Sequence, residues 1–127
     1  MTISVGGREG AYSFVNCTLR RLLFLDGRPI YASKGTVALQ HGAYGGQRLY
    51  LFFDESHAAW VLNTDPAATG SEVLAFSPDG ATKPDMLRKP WYFHADGDRY
   101  TLDEAVKLRR GEGEGPMSTA ARAMAHA

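Results

Sequence analysis

The chain has a single cysteine, Cys17. That excludes an internal disulfide framework and any zinc site built on several cysteines. Net charge is also missing: lysine plus arginine and aspartate plus glutamate number 14 each. A balanced chain does not bind nucleic acid or an anionic membrane through bulk electrostatics. No apolar run approaches the roughly 18 residues that span a bilayer. Residues Met1 to Gly10 lack the apolar core of a secretory signal, so an intracellular setting is the default expectation.

Aromatic residues, by contrast, are plentiful, with six tyrosines, six phenylalanines and two tryptophans in 127 residues. The chain is 44% hydrophobic and 22% charged, which suits one packed domain and not a disordered segment. Charge is uneven along it. Residues 1–53 carry six basic and two acidic side chains, residues 54–104 four and ten, and residues 105–127 four and two. The plain reading is solvated turns; the sharper one is a dipolar surface that orients the domain on a charged partner.

Turn signals are frequent and the apolar runs between them short. Asp26-Gly27 and Asp96-Gly97 supply the positive φ of tight hairpins. Leu22–Leu25 and Arg28–Tyr31 read as one hairpin, with Pro29 placing its second strand at an edge or bulge. Leu49–Phe53 is continuously apolar, as in a strand buried on both faces; Asp54–His57 is a polar loop and Ala58–Leu62 the return strand. Val73–Phe76 is a further strand, followed by a type I turn over Ser77–Gly80. Residues 81–90 look irregular, and Trp91–His94 with Arg99-Tyr100 form a last hairpin.

The pattern then shifts. Thr101 and Glu104 have capping-box spacing, Leu102, Ala105 and Val106 share a helical face, and Gly111 ends the run, which predicts a helix over 102–110. The expected fold is therefore mainly β, a small antiparallel sheet, barrel or sandwich of hairpins with one C-terminal helix. It occupies residues 1–110. Residues 111–127 form a Gly/Glu linker and an alanine-rich tail, in which Met117, Ala121 and Met124 have helical spacing. Such a tail is too short to be a stable helix alone and is either a frayed end or a segment that docks on a partner.

Few residues point to chemistry. His57 stands beside Asp54 and Glu55, a pairing able to supply a general base, yet these are also ordinary hairpin-loop residues. His94 with Asp96 and Asp98 offers carboxylates for a hard cation, but the calcium-loop spacing fails and a polar turn is the plainer account. His41 and His126 have no local ligand partners. Cys17 reads as a buried, inert thiol, and the Asn16-Cys17-Thr18 acceptor pattern is discounted for want of a secretory signal. The glycine-rich stretch 42–46 leads into a strand with no lysine following, unlike a phosphate cradle. No metal or cofactor site is expected. Trp60 and Trp91 read as the centre of the core, while Tyr44, Tyr92 and Tyr100 lie near turns or on an outer face, where they could stack on a sugar or small ligand.

One arrangement goes beyond strand grammar. It comprises Gly10-Ala11-Tyr12, Gly27-Arg28-Pro29-Ile30-Tyr31, Leu49-Tyr50-Leu51-Phe52-Phe53, Trp60-Val61-Leu62, Pro84 and Trp91. It resembles a small accessory module frequent in multidomain proteins of algae and other protists. That module has a Gly-Arg-Pro-Val-Tyr strand, a Tyr-Leu-Tyr-Tyr strand, a Trp-x-Ile strand and a later tryptophan. The resemblance covers roughly residues 5–95 and implies a binding unit, with no catalytic residues to carry over. The chain departs from it in a longer stretch between Tyr12 and Gly27 and in its added C-terminal helix and tail.

The expectation is thus a non-catalytic binding or structural module, a protein-interaction subunit or adaptor docking through Met117, Ala121 and Met124. The alternatives are a carbohydrate or small-ligand binder using exposed aromatics, and a small hydrolase or isomerase using His57 or His94. Another protein is the expected partner, with no nucleic acid and no membrane span.

Overall fold

The computed structural model describes residues 2–25, 28–34, 48–65 and 73–111. Its nine strands are β1 (Thr2–Gly6), β2 (Thr18–Leu25), β3 (Arg28–Ser33), β4 (Tyr50–Asp54), β5 (Ala59–Asn63), β6 (Ala75–Ser77), β7 (Trp91–Asp96), β8 (Arg99–Asp103) and β9 (Lys107–Arg110). Short 3-10 turns cover Ser13–Val15 and Pro84–Met86. All strands join one antiparallel sheet in the order β8-β7-β6-β5-β4-β3-β2-β1-β9. It is a meander from β1 to β8 whose last strand returns to pair with β1. Its two edges, β8 and β9, are joined by only three residues in sequence, so the sheet must curl until they approach: a half-barrel.

Strand alternation fills the inside of the curl. Ile3, Leu19, Tyr31, Leu51, Trp60, Leu62, Ala75, Trp91 and Phe93 are buried there, with both tryptophans at the centre as expected. Trp60 Nε1 donates to the Ala81 carbonyl at 2.8 Å, so even its polar atom is satisfied. Cys17 packs against this core as an inert thiol, and burial pushes its pKa up to about 11. Where Gly7 meets the β8–β9 connection its φ is +98°, and an added Cβ would strike the Ala105 carbonyl; only glycine fits.

The hairpins β2–β3, β4–β5 and β7–β8 form where the apolar runs and turn residues place them. Pro29 pairs with Phe24 of β2, and the β3–β4 pairing covers only Tyr31 and Ala32, so Pro29 lies clear of the β4 ladder. After β6 the amide that reaches the Ser77 carbonyl is that of Asp79, not Gly80 as in the expected type I turn. The Asp79 carboxylate accepts from the amides of Ala81, Arg88 and Lys89 and so organises the irregular stretch that follows.

The C-terminal helix expected over 102–110 does not form. Thr101 and Leu102 instead pair with Phe93 and Tyr92 inside β8. Asp103 then accepts the Ala105 amide at 2.9 Å, a local turn that reverses the chain where a capping box was expected. Val106 drops into the core, and Lys107, Leu108 and Arg109 alternate out, in, out along β9. A period of two has prevailed over 3.6 because β1 offers a free edge, and four residue pairs from Ile3↔Arg110 to Gly6↔Lys107 satisfy it. Leu102, assigned to the helix's apolar face, is 48% exposed. No described helix is long and apolar enough to cross a membrane. Tyr44, the glycine-rich stretch 42–46, the linker 112–116 and the tail residues Met117, Ala121 and Met124 lie outside the described residues.

Candidate functional site

The outer face of the sheet is not uniformly polar. Phe52, Val61 and Val73 are buried on it, with Ile30, Tyr50, Phe76 and Tyr100 packed around them. The cause is local: β4 and β5 read as unbroken apolar runs, so each second residue points away from the main core and is apolar too. A groove of about 340 Å³ opens beside this cluster. Ala59 and Val61 of β5 line it together with Val73, Phe76, Pro78 and Tyr100. Asp54 and His57 close one end of it.

The aromatic wall is tied together. Tyr100 meets Phe76 edge-on with ring centroids 5.0 Å apart, and Phe76 stacks on Tyr92 at 5.3 Å with planes 14° apart. The Tyr100 hydroxyl donates to the Val73 carbonyl at 2.7 Å, which fixes the ring across β7. That spacing leaves apolar ring surface toward the groove and ties the polar tip elsewhere. Two tyrosines expected to face a ligand, Tyr92 and Tyr100, are thus brought together, but through Phe76. Phe76, Val61 and Val73 had no place in the expected site; the visible signal was the lack of polar alternation in Trp60-Val61-Leu62.

The polar end is built on one carboxylate. The side chain of Asp54 is 5% exposed, yet it accepts from the Ser56 amide at 3.0 Å, the Ser56 hydroxyl at 2.7 Å and His57 Nδ1 at 2.8 Å. Burial presses its pKa upward, but the bonds from Ser56 and His57 outweigh that and hold it below the ordinary carboxylate value. An ionised carboxylate only accepts, so Nδ1 of His57 is the donor in this bond, and in the neutral imidazole Nε2 is then the acceptor. Among the described residues nothing pairs with that nitrogen. Ala58 follows in a left-handed conformation, φ 50°, which turns the chain back into β5 beneath the ring.

Among the described residues this geometry is half of a hydrolytic triad and lacks the rest. The neighbouring hydroxyl, Ser56, donates to Asp54 and lies 3.1 Å from Nδ1, the wrong nitrogen for a nucleophile that His57 would deprotonate. His94 is used differently: Nε2 donates to the Gly97 carbonyl at 2.8 Å, and Nδ1 faces the Tyr12 hydroxyl at 3.4 Å. Of its expected carboxylate neighbours, Asp96 pairs with Arg99 instead. No group of three or more metal-ligating side chains occurs among the described residues. Comparisons with protein-family models, curated proteins and solved structures return no match.

Proposed function

We propose that this domain is a non-catalytic binding module whose site is the outer groove, and that its ligand is a small molecule with a flat apolar face and a hydroxyl group. The observation that carries this reading is the pairing of an apolar, aromatic-walled groove with a single oriented acceptor, His57 Nε2, at its end. Ligand sites commonly join apolar walls to a few placed polar atoms that fix orientation. A ring would lie against Phe76 and Tyr100, and its hydroxyl would donate to Nε2. The resemblance to an accessory module supports binding over catalysis. The reading of a protein subunit docked by Met117, Ala121 and Met124 rests on residues outside the described structure, so the groove takes precedence.

Calorimetric titration of the full chain with a panel of phenols and methyl glycosides tests this. A saturable ligand should weaken about fivefold to tenfold in His57→Ala, the worth of one hydrogen bond, and also in Phe76→Ala. Affinity unchanged in both variants, or no binding across the panel, overturns the proposal.

A further inference from the structure

A second cavity, of about 360 Å³, lies across the sheet seam, where β1 pairs with β9. Ser4, Gly6 and Gly7 line one side; Lys107 and Arg109 line the other. The register sets Arg109 opposite Ser4 and Lys107 opposite Gly6, so both cations stand on the outer face beside β1. Ser4 in turn faces Thr18 of β2, with their hydroxyls 3.4 Å apart. Among the described residues neither Lys107 nor Arg109 has an ion-pair partner, whereas Arg8, a few residues away in β1's continuation, is committed to Asp103 at 2.8 Å. Glu104, one residue before the lining residue Ala105, is the acid nearest in sequence to the cavity.

Gly6 is the last residue of β1, with no positive φ, and a Cβ added there meets nothing within 4 Å. The fold therefore does not require glycine at this position, unlike at the neighbouring Gly7, and its missing side chain leaves the cavity wall open at the backbone. In the sheet β9 stands beside β1, so Lys107 and Arg109 of the basic last segment adjoin a strand from the basic first part of the chain.

We infer that the cavity is an oxyanion site that takes a phosphate group, held by Lys107, Arg109 and the Ser4 hydroxyl, with the absent Gly6 side chain making room. Arginine offers a planar donor fork matched to phosphate and lysine a point charge, which together neutralise a dianion. The inference is independent of the outer groove, which lies on β4, β5, β6 and β8.

The test is an amide-resolved NMR titration of the full chain with inorganic phosphate, against chloride at matched ionic strength. Saturable shifts should centre on Gly6, Gly7 and Ala105. The pair K107Q and R109Q, both exposed substitutions, should weaken phosphate at least about tenfold. Gly6→Ala, which the fold accommodates, should weaken it comparably with the amide spectrum otherwise intact. Vesicles of phosphatidylcholine with and without a phosphoinositide identify the source. Sedimentation only with the phosphoinositide, and lost in the double variant, assigns the phosphate to a lipid headgroup; no sedimentation beside saturable phosphate binding assigns it to a soluble ligand. Shifts that chloride reproduces, or that survive in both variants, overturn the inference.

Discussion

His57 and Asp54 stand three residues apart across a hairpin turn, 2.8 Å from nitrogen to oxygen, with the His57 side chain 54% exposed and the Asp54 side chain 5% exposed. The buried partner anchors and the exposed partner presents. The turn gains order, because the carboxylate that orients His57 also accepts the Ser56 amide and hydroxyl. The groove gains an acceptor of defined tautomer.

Replacing Asp54 with asparagine tests the anchor. The change should cost about 1–3 kcal/mol at neutral pH, since it loosens buried bonds to Ser56 and His57. The pKa of Asp54 is depressed in the fold, so its contribution is complete above the unfolded value of about 4. It is lost as pH falls through the lower folded value. Urea unfolding of both proteins should therefore show a gap at pH 7 that narrows in strong acid. A gap that stays constant with pH would show that the carboxylate charge plays no part.

The two adjacent glycines of the seam should respond oppositely. Gly7→Ala forces a side chain into the Ala105 carbonyl at positive φ and should lower stability by at least about 1–3 kcal/mol. Gly6→Ala meets open space at ordinary φ and should be neutral or stabilising by about 0.5–1 kcal/mol. Thermal unfolding of the two variants measures the contrast.

Trp60 fills the core and donates to Ala81. Trp60→Ala should cost about 3–5 kcal/mol. Trp60→Phe keeps most of the apolar volume and removes only the Nε1 donor; the Ala81 carbonyl still accepts from Arg28 at 2.8 Å, so the loss should be about 0.5–1.5 kcal/mol. Chemical denaturation of both variants separates packing from the hydrogen bond.

Cys17 should be slow to alkylate. Its thiol titrates near 11 in the fold, against an ordinary value of 9.0, so the reactive thiolate is scarce at pH 8. Mass spectrometry after iodoacetamide should find little modification in the native protein and full modification in denaturant.

Much of this fold was legible because three hairpins carry strong local signals: apolar runs interrupted by Asp-Gly or by Asp54–His57. The seam was not. β1 is short, and its alternation of Ile3 and Val5 with Thr2, Ser4 and Gly6 is clear only once β2 and β9 flank it. β9 was misread because Leu102, Ala105 and Val106 satisfy a helical spacing locally. The contact that decides against it, pairing with β1, lies about a hundred residues away in sequence. Asp103 shows the same limit: it looks like a first-turn helix acid, but it bonds Ala105 and ion-pairs with Arg8. For the site, the residues with evident chemistry, His57 and Asp54, were visible, and so was Tyr100, whereas Tyr92 only stacks on Phe76 and does not line the groove. That Phe76, Val61 and Val73 join His57, Asp54 and Tyr100 in one groove depends on register across β5, β6 and β8, which no local pattern contains.

The most direct test of the central claim follows the His57 ring nitrogens by NMR while a binding phenol is titrated. The account predicts that Nδ1 stays protonated on Asp54, that the Nε2 signal moves as it accepts the ligand hydroxyl, and that the ring protons of Phe76 and Tyr100 shift with the same saturation curve. A ligand that saturates while Nε2 and both rings stay still would contradict it.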